Sequence, residues 1–198
     1  MDAPSDADFL GADDVLEAVR RQFVEAAHDE FDIREPRSDR PGRVGAFTVD
    51  DDHAPRPSKR LQLAAQVGLD PSKPAIGLLT NVSWDAQLHY PANAFPNMLE
   101  WLVQTCEYFA RRPDLQLLIR VHPAEISGFP PSRQPILTEL RARIPSLASN
   151  IIVVPPESGL STYGLMALCN AAIIYGTKMG VELTSVGMPV VVAGEAWI

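Results

Sequence analysis

From Ala75 onward, short wholly apolar segments alternate strictly with amphipathic segments at helical spacing, and no chain reversal is tight enough to join the apolar segments as hairpins. Strands that are apolar throughout are buried on both faces, and helical crossovers between them make them parallel. The sequence therefore predicts an α/β fold, a Rossmann-like parallel sheet of about five strands with helices on both faces, over roughly 120 residues.

The N-terminal part of the 198-residue chain reads differently. Asp13 or Asp14 can cap a helix from Val15 to about Phe31, with Val15, Leu16, Val19, Phe23, Ala26 and Ala27 as its apolar stripe. Residues 32–60 are rich in Arg, Asp and Pro and read as a linker. We divide the chain at 58: residues 1–58 are an acidic helix plus linker, and 59–198 the Rossmann-like domain. His53 beside Asp50, Asp51 and Asp52 reads as a solvated charged loop rather than a metal site, and no metal is expected elsewhere.

Lys59 to Val67 is a short helix closed by Gly68, and Asp70 to Pro74 a turn. The predicted strands are 75–80, 115–122, 150–156, 171–175 and 189–194. Between them lie helices at 95–110, 136–144, one capped by Ser161 or Thr162 and running to Leu168, and 179–186. Residues between Pro123 and Ile136 read as a Pro-rich loop.

Composition bounds the function. Hydrophobic residues make up 46% and charged residues 21%, as in globular proteins. The net charge of −8 sits mostly in the first 60 residues, which hold 15 acidic against 9 basic side chains. No basic surface for nucleic acid is implied. Cys106 and Cys169 stand alone in apolar helical patterns and read as small buried hydrophobes, as expected in a reducing cytoplasm. The first residues show no basic and apolar leader pattern, and no apolar run reaches membrane-spanning length.

In such a sheet, ligands bind beyond the carboxyl ends of the strands. Those ends carry Asn81, Trp84 and Asp85; Arg120, His122 and Glu125; Glu157, Ser158, Ser161, Thr162 and Tyr163; Tyr175, Gly176, Thr177 and Lys178; and Glu195. The Gly176–Gly180 turn opens a helix whose N-terminus would offer free N–H groups to an anion, with Glu182 in reach of a sugar hydroxyl. A plain strand–turn–helix unit would look the same. His122 can donate to a phosphate oxygen, aided by Arg120, or can be satisfied by neighbouring backbone. Asp85 is the carboxylate placed for general-base work, or braces its loop. Tyr163 and Trp84 can stack on a base or serve as packing, and Lys178 bridges a phosphate or is solvated. The chain lacks GxGxxG after the first strand, the Walker pattern and GxSxG, which disfavours nicotinamide dehydrogenases, P-loop enzymes and α/β-hydrolases.

Together TNVSWDAQ (80–87), FPNMLEWL (95–102), LLIRVHPAE (117–125), VPPESGLSTYGLM (154–166) and YGTKMGVELTSVGMPVVVAG (175–194) resemble the C-terminal half of the capsule polysaccharide biosynthesis proteins. These are bacterial proteins of the GT-B glycosyltransferase fold that include Kdo transferases using CMP-Kdo. The resemblance spans about Lys59 to Ile198. It implies that His122-Pro123 contacts the donor's nucleotide phosphate, that Ser161, Thr162 and Tyr163 lie by the nucleotide, that Thr177 and Lys178 meet the phosphate, and that Glu182 holds the ribose. It also implies a CMP-linked sugar as substrate with no cofactor, a glycan or glycolipid acceptor, and a cytoplasmic protein peripheral to the inner membrane or capsule assembly machinery. Residues 1–58 do not match the family's acceptor-binding N-terminal domain, and the chain stops at Trp197-Ile198 where the family continues. The expectation is a piece of a longer protein that lacks its N-terminal domain and is inactive alone. Two other readings stand: a CDP-glycerol-type polyol-phosphate transferase or sugar-nucleotide epimerase, and a non-catalytic module for polysaccharide assembly or export.

Overall fold

A computed structural model describes residues 57–83, 94–128 and 131–194. The expected helix at 15–31, the Asp50–His53 run, Trp84, Asp85 and Glu195 lie outside the described residues. The elements in chain order are α1 (Pro57–Val67), β1 (Ala75–Leu79), α2 (Met98–Ala110), β2 (Gln116–Arg120), α3 (Ala124–Ser127), α4 (Ile136–Arg143), β3 (Ile151–Val154), α5 (Thr162–Met166), β4 (Ala171–Ile174), α6 (Met179–Ser185) and β5 (Val190–Val192).

All five strands are parallel, in the order β3-β2-β1-β4-β5. The chain winds outward from β1 through β2 to β3, then crosses back to β4 on the other side of β1. The winding direction therefore reverses between β1 and β4, and the reversal opens a crevice at their carboxyl ends. The α/β fold with helices on both faces is as the sequence predicts.

Alternation along the strands divides the core in two. Ile76, Leu78, Leu117, Ile119 and Ile173 pack with Trp101, Leu102, Phe109 and Leu140 of α2 and α4. Leu79, Leu118, Ala172 and Ile174 pack on the opposite face with Ala64, Leu165, Met166 and Leu183 of α1, α5 and α6. Burying apolar area on both faces is what fixes the sheet, at about 25 cal/mol per Å2.

Local signals set most boundaries. α1 begins at Pro57, whose missing N–H costs nothing in a first turn, and Gly68 closes it at φ 82°. α2 starts three residues later than expected, because the Asn97 side chain accepts the Glu100 N–H at 2.9 Å and caps it there. α3 falls inside the expected Pro-rich loop. Among the described residues no helix is long and apolar enough to cross a membrane.

Candidate functional site

The crevice is built from the ends of β1, β2 and β4. At the end of β1 Asn81, only 3% exposed, donates from Nδ2 to the Gly176 carbonyl at 2.9 Å. This bond ties the end of β1 to the turn after β4, at the reversal itself. The Asn81 Oδ1 atom is buried and has no partner among the described residues. One strand over, the His122 N–H donates to Thr80 Oγ1 at 3.1 Å, and the Thr80 N–H donates to the Arg120 carbonyl. Thr80, which sequence reasoning did not single out, thus joins β1 to the His122 turn. Its signal was a polar residue closing an apolar strand.

The turn after β4 differs from the expected open helix terminus. Most of its N–H groups are used within the chain: Gly180 donates to the Thr177 carbonyl, Val181 and Glu182 to that of Lys178, and Met179 to Thr177 Oγ1 at 3.5 Å. The reason is that Thr177 and Lys178 curl tightly enough for local acceptors to compete. The N–H groups of Thr177 and Lys178 donate to no acceptor among the described residues. The donor pair thus lies in the turn before α6 rather than in the helix. Lys178 is exposed, while Gly176 and Thr177 are half-buried.

Of the three β2-end residues, His122 is half-buried and its Nδ1 accepts the Ala124 N–H at 3.0 Å. An accepting Nδ1 places the proton of a neutral ring on Nε2, making that nitrogen a donor. Arg120 does not supply open charge to the crevice. Its side chain lies on the α1/α5/α6 face, 4% exposed, and donates to the Pro155 and Ser158 carbonyls at 2.6 and 3.2 Å. Burial lowers its pKa from the ordinary range. Arg120 acts on the site by holding the loop that leads into α5.

Glu125 is likewise turned inward. Its carboxylate accepts the Ile136 N–H at 3.0 and 3.3 Å and so caps α4, whose preceding residue, Pro135, has no side chain able to do so. Burial raises its pKa, the bond from Ile136 lowers it, and the nearby Glu157 charge raises it further.

Along α5, Ser161 Oγ accepts the Gly164 N–H at 3.4 Å and is the helix cap, with Thr162 half-buried beside it. Tyr163 projects from this helix and donates its hydroxyl to Glu182 Oε2 of α6 at 2.5 Å. That bond is the main reason the Tyr163 pKa is raised, with burial and the Glu182 charge adding to it. The structure thus joins two residues that the sequence placed only on a common rim.

Cys106 and Cys169 are buried free thiols whose pKa values burial pushes up to about 12, so neither is a nucleophile at neutral pH. Among the described residues, no group of three or more His, Cys, Asp and Glu is arranged to hold a metal ion.

No family model matches the sequence, and no curated protein matches it. Among solved structures, the fold is similar to that of a glycosyl transferase family 9 protein from Veillonella parvula DSM 2008, at 16% identity and a TM-score of 0.44. The similarity covers 69% of this chain and 37% of that one, so the chain spans little more than a third of that protein's length.

Proposed function

We propose that this chain is the donor-nucleotide-binding part of a glycosyltransferase in bacterial capsule or surface polysaccharide synthesis, with a CMP-linked sugar as donor. The observation that carries the reading is the convergence at the β1/β4 reversal. There the Asn81–Gly176 bond fixes a turn whose Thr177 and Lys178 N–H groups donate to no acceptor among the described residues, with the His122 turn on the other side of β1. Anion donors at the reversal point of a parallel sheet are what a nucleotide phosphate requires. The capsule role and the cytidine base rest on the motif resemblance.

In this reading the Thr177 and Lys178 N–H groups, the Lys178 ammonium and His122 Nε2–H bind the donor phosphate. Glu182 takes a ribose hydroxyl, while Ser161, Thr162 and Tyr163 lie alongside the nucleotide. Transfer with inversion would proceed by direct displacement. The acceptor oxygen attacks the anomeric carbon as the bond to CMP breaks, and the phosphate donors stabilise the charge that develops on the leaving group. A second domain would supply the acceptor and its base, with Asp85 an alternative base.

Calorimetric titration with CMP, CDP and UDP tests the reading. We expect CMP to bind most tightly and His122→Ala to weaken it by about tenfold or more, as for loss of a charge-assisted hydrogen bond. A marked UDP preference would remove the CMP assignment. No binding of any of the three at millimolar concentration would favour a non-catalytic assembly module.

A further inference from the structure

We propose that Tyr163 is an internal competitor for the donor site: its hydroxyl occupies the Glu182 carboxylate where a ribose hydroxyl binds, and nucleotide binding displaces it. The inference rests on the reading of Glu182 as the ribose ligand given above.

A ribose hydroxyl offers a carboxylate one O–H donor, and the Tyr163 phenol offers the same group at 2.5 Å. The bond links two short helices, α5 and α6, that pack on the same sheet face. Unlike Arg120 and Glu125, which are almost fully buried and hold backbone groups in place, Tyr163 is 46% exposed and Glu182 is exposed. Both side chains are open to solvent, so breaking their bond leaves no buried polar atom unsatisfied and both groups can be solvated. The elevated Tyr163 pKa is the counterpart of the same bond, which holds the phenolic proton. A carboxylate partly occupied from within has its apparent affinity for a ligand scaled down to the fraction that is left free.

Replacing only the hydroxyl isolates this effect. Tyr163→Phe keeps the ring available for packing or stacking and leaves Glu182 unoccupied. We expect the full chain carrying Tyr163→Phe to bind CMP about threefold to tenfold more tightly than the parent, the range for a hydrogen bond to an exposed charged group. The gain should vanish in the Glu182→Gln background and with 2′,3′-dideoxy-CMP, which has no ribose hydroxyl to offer. If the parent binds CMP and Tyr163→Phe binds equally or more weakly, the competitor role is overturned while the donor-site reading stands. If neither protein binds CMP, both fall together. Binding by the variant alone would support the inference in its strongest form. Should Tyr163→Phe fail to fold, ultraviolet titration of the parent decides the matter: saturating CMP should lower the Tyr163 pKa towards that of a free phenol, and an unmoved titration overturns the proposal.

Discussion

Asn81 donates to the Gly176 carbonyl across 2.9 Å, from the end of β1 to the turn after β4. The two residues are 95 positions apart in the chain, yet they meet where the winding of the sheet reverses. The Asn81 backbone N–H also donates to Met98 Sδ at 3.2 Å, so α2, β1 and β4 come together at one residue.

Asn81→Ala should therefore affect stability and site together. It leaves the Gly176 carbonyl without its donor and should cost about 1–3 kcal/mol, read as a lower urea midpoint with an unchanged slope. Asn81→Asp should cost more, because a carboxylate oxygen would then face the carbonyl. If Asn81→Ala matched the parent midpoint, the bond would contribute nothing to the fold.

Asn150 precedes β3 and directs Nδ2 to three carbonyls, those of Phe109, Arg112 and Leu115, at 2.8–2.9 Å. It thereby fastens the exit of α2 to the start of β2. Asn150→Asp exchanges a donor for a charge pointing at three oxygens, so it should destabilise more than Asn150→Ala, which we place at about 1–3 kcal/mol. Thermal unfolding of both variants at pH 7 checks the order, and the reverse order would exclude this role.

Gly77, in the middle of β1, lies beneath α5. A Cβ there would stand 2.5 Å from Met166 Sδ and 2.9 Å from its Cε. Gly77→Ala should cost about 1–3 kcal/mol through overpacking. Because the obstacle is the flexible end of a side chain, Met166→Ala in the Gly77→Ala background should restore part of the loss, while Met166→Ala alone is destabilising. Additive effects in the double variant would show that the two side chains do not compete for one space.

These relationships explain what could be read from the sequence and what could not. The strands announce themselves because burial on both faces makes Ile76–Leu79 and Leu117–Ile119 apolar without interruption. α3 was not legible, since Pro123 followed by a single turn gives no periodicity to detect. Arg120 and Glu125 were correctly placed near the strand ends, but their direction depends on segments that return from elsewhere. Pro155 and Ser158 lie 35 and 38 residues beyond Arg120, and Ile136 is 11 residues beyond Glu125. A charged residue at a strand end suggests a ligand until the backbone group that claims it is known. The Tyr163–Glu182 bond, 19 positions apart, depends in the same way on how α5 and α6 settle on the sheet.

Glu125 also gives the fold a pH dependence of definite sign. Its carboxyl is 3% exposed and its folded pKa is raised, first by burial, against the bond from the Ile136 N–H and with the Glu157 charge adding to the rise. A raised acid pKa means that the folded chain retains the proton to higher pH than the unfolded chain does. Stability should therefore fall as pH rises from the ordinary glutamate range through the folded pKa, then level off above it. Glu125→Gln keeps an oxygen to accept the Ile136 N–H and removes the titration, so this contribution to the fall should disappear. Urea unfolding of parent and variant from pH 4 to pH 8 isolates it, because the other carboxylates are common to both. The difference in favour of Glu125→Gln should grow as pH rises, since the charged form is the one that burial penalises. A parent that instead gained stability relative to the variant with rising pH would mean that the Ile136 N–H outweighs burial and that Glu125 caps α4 as a stabilising carboxylate.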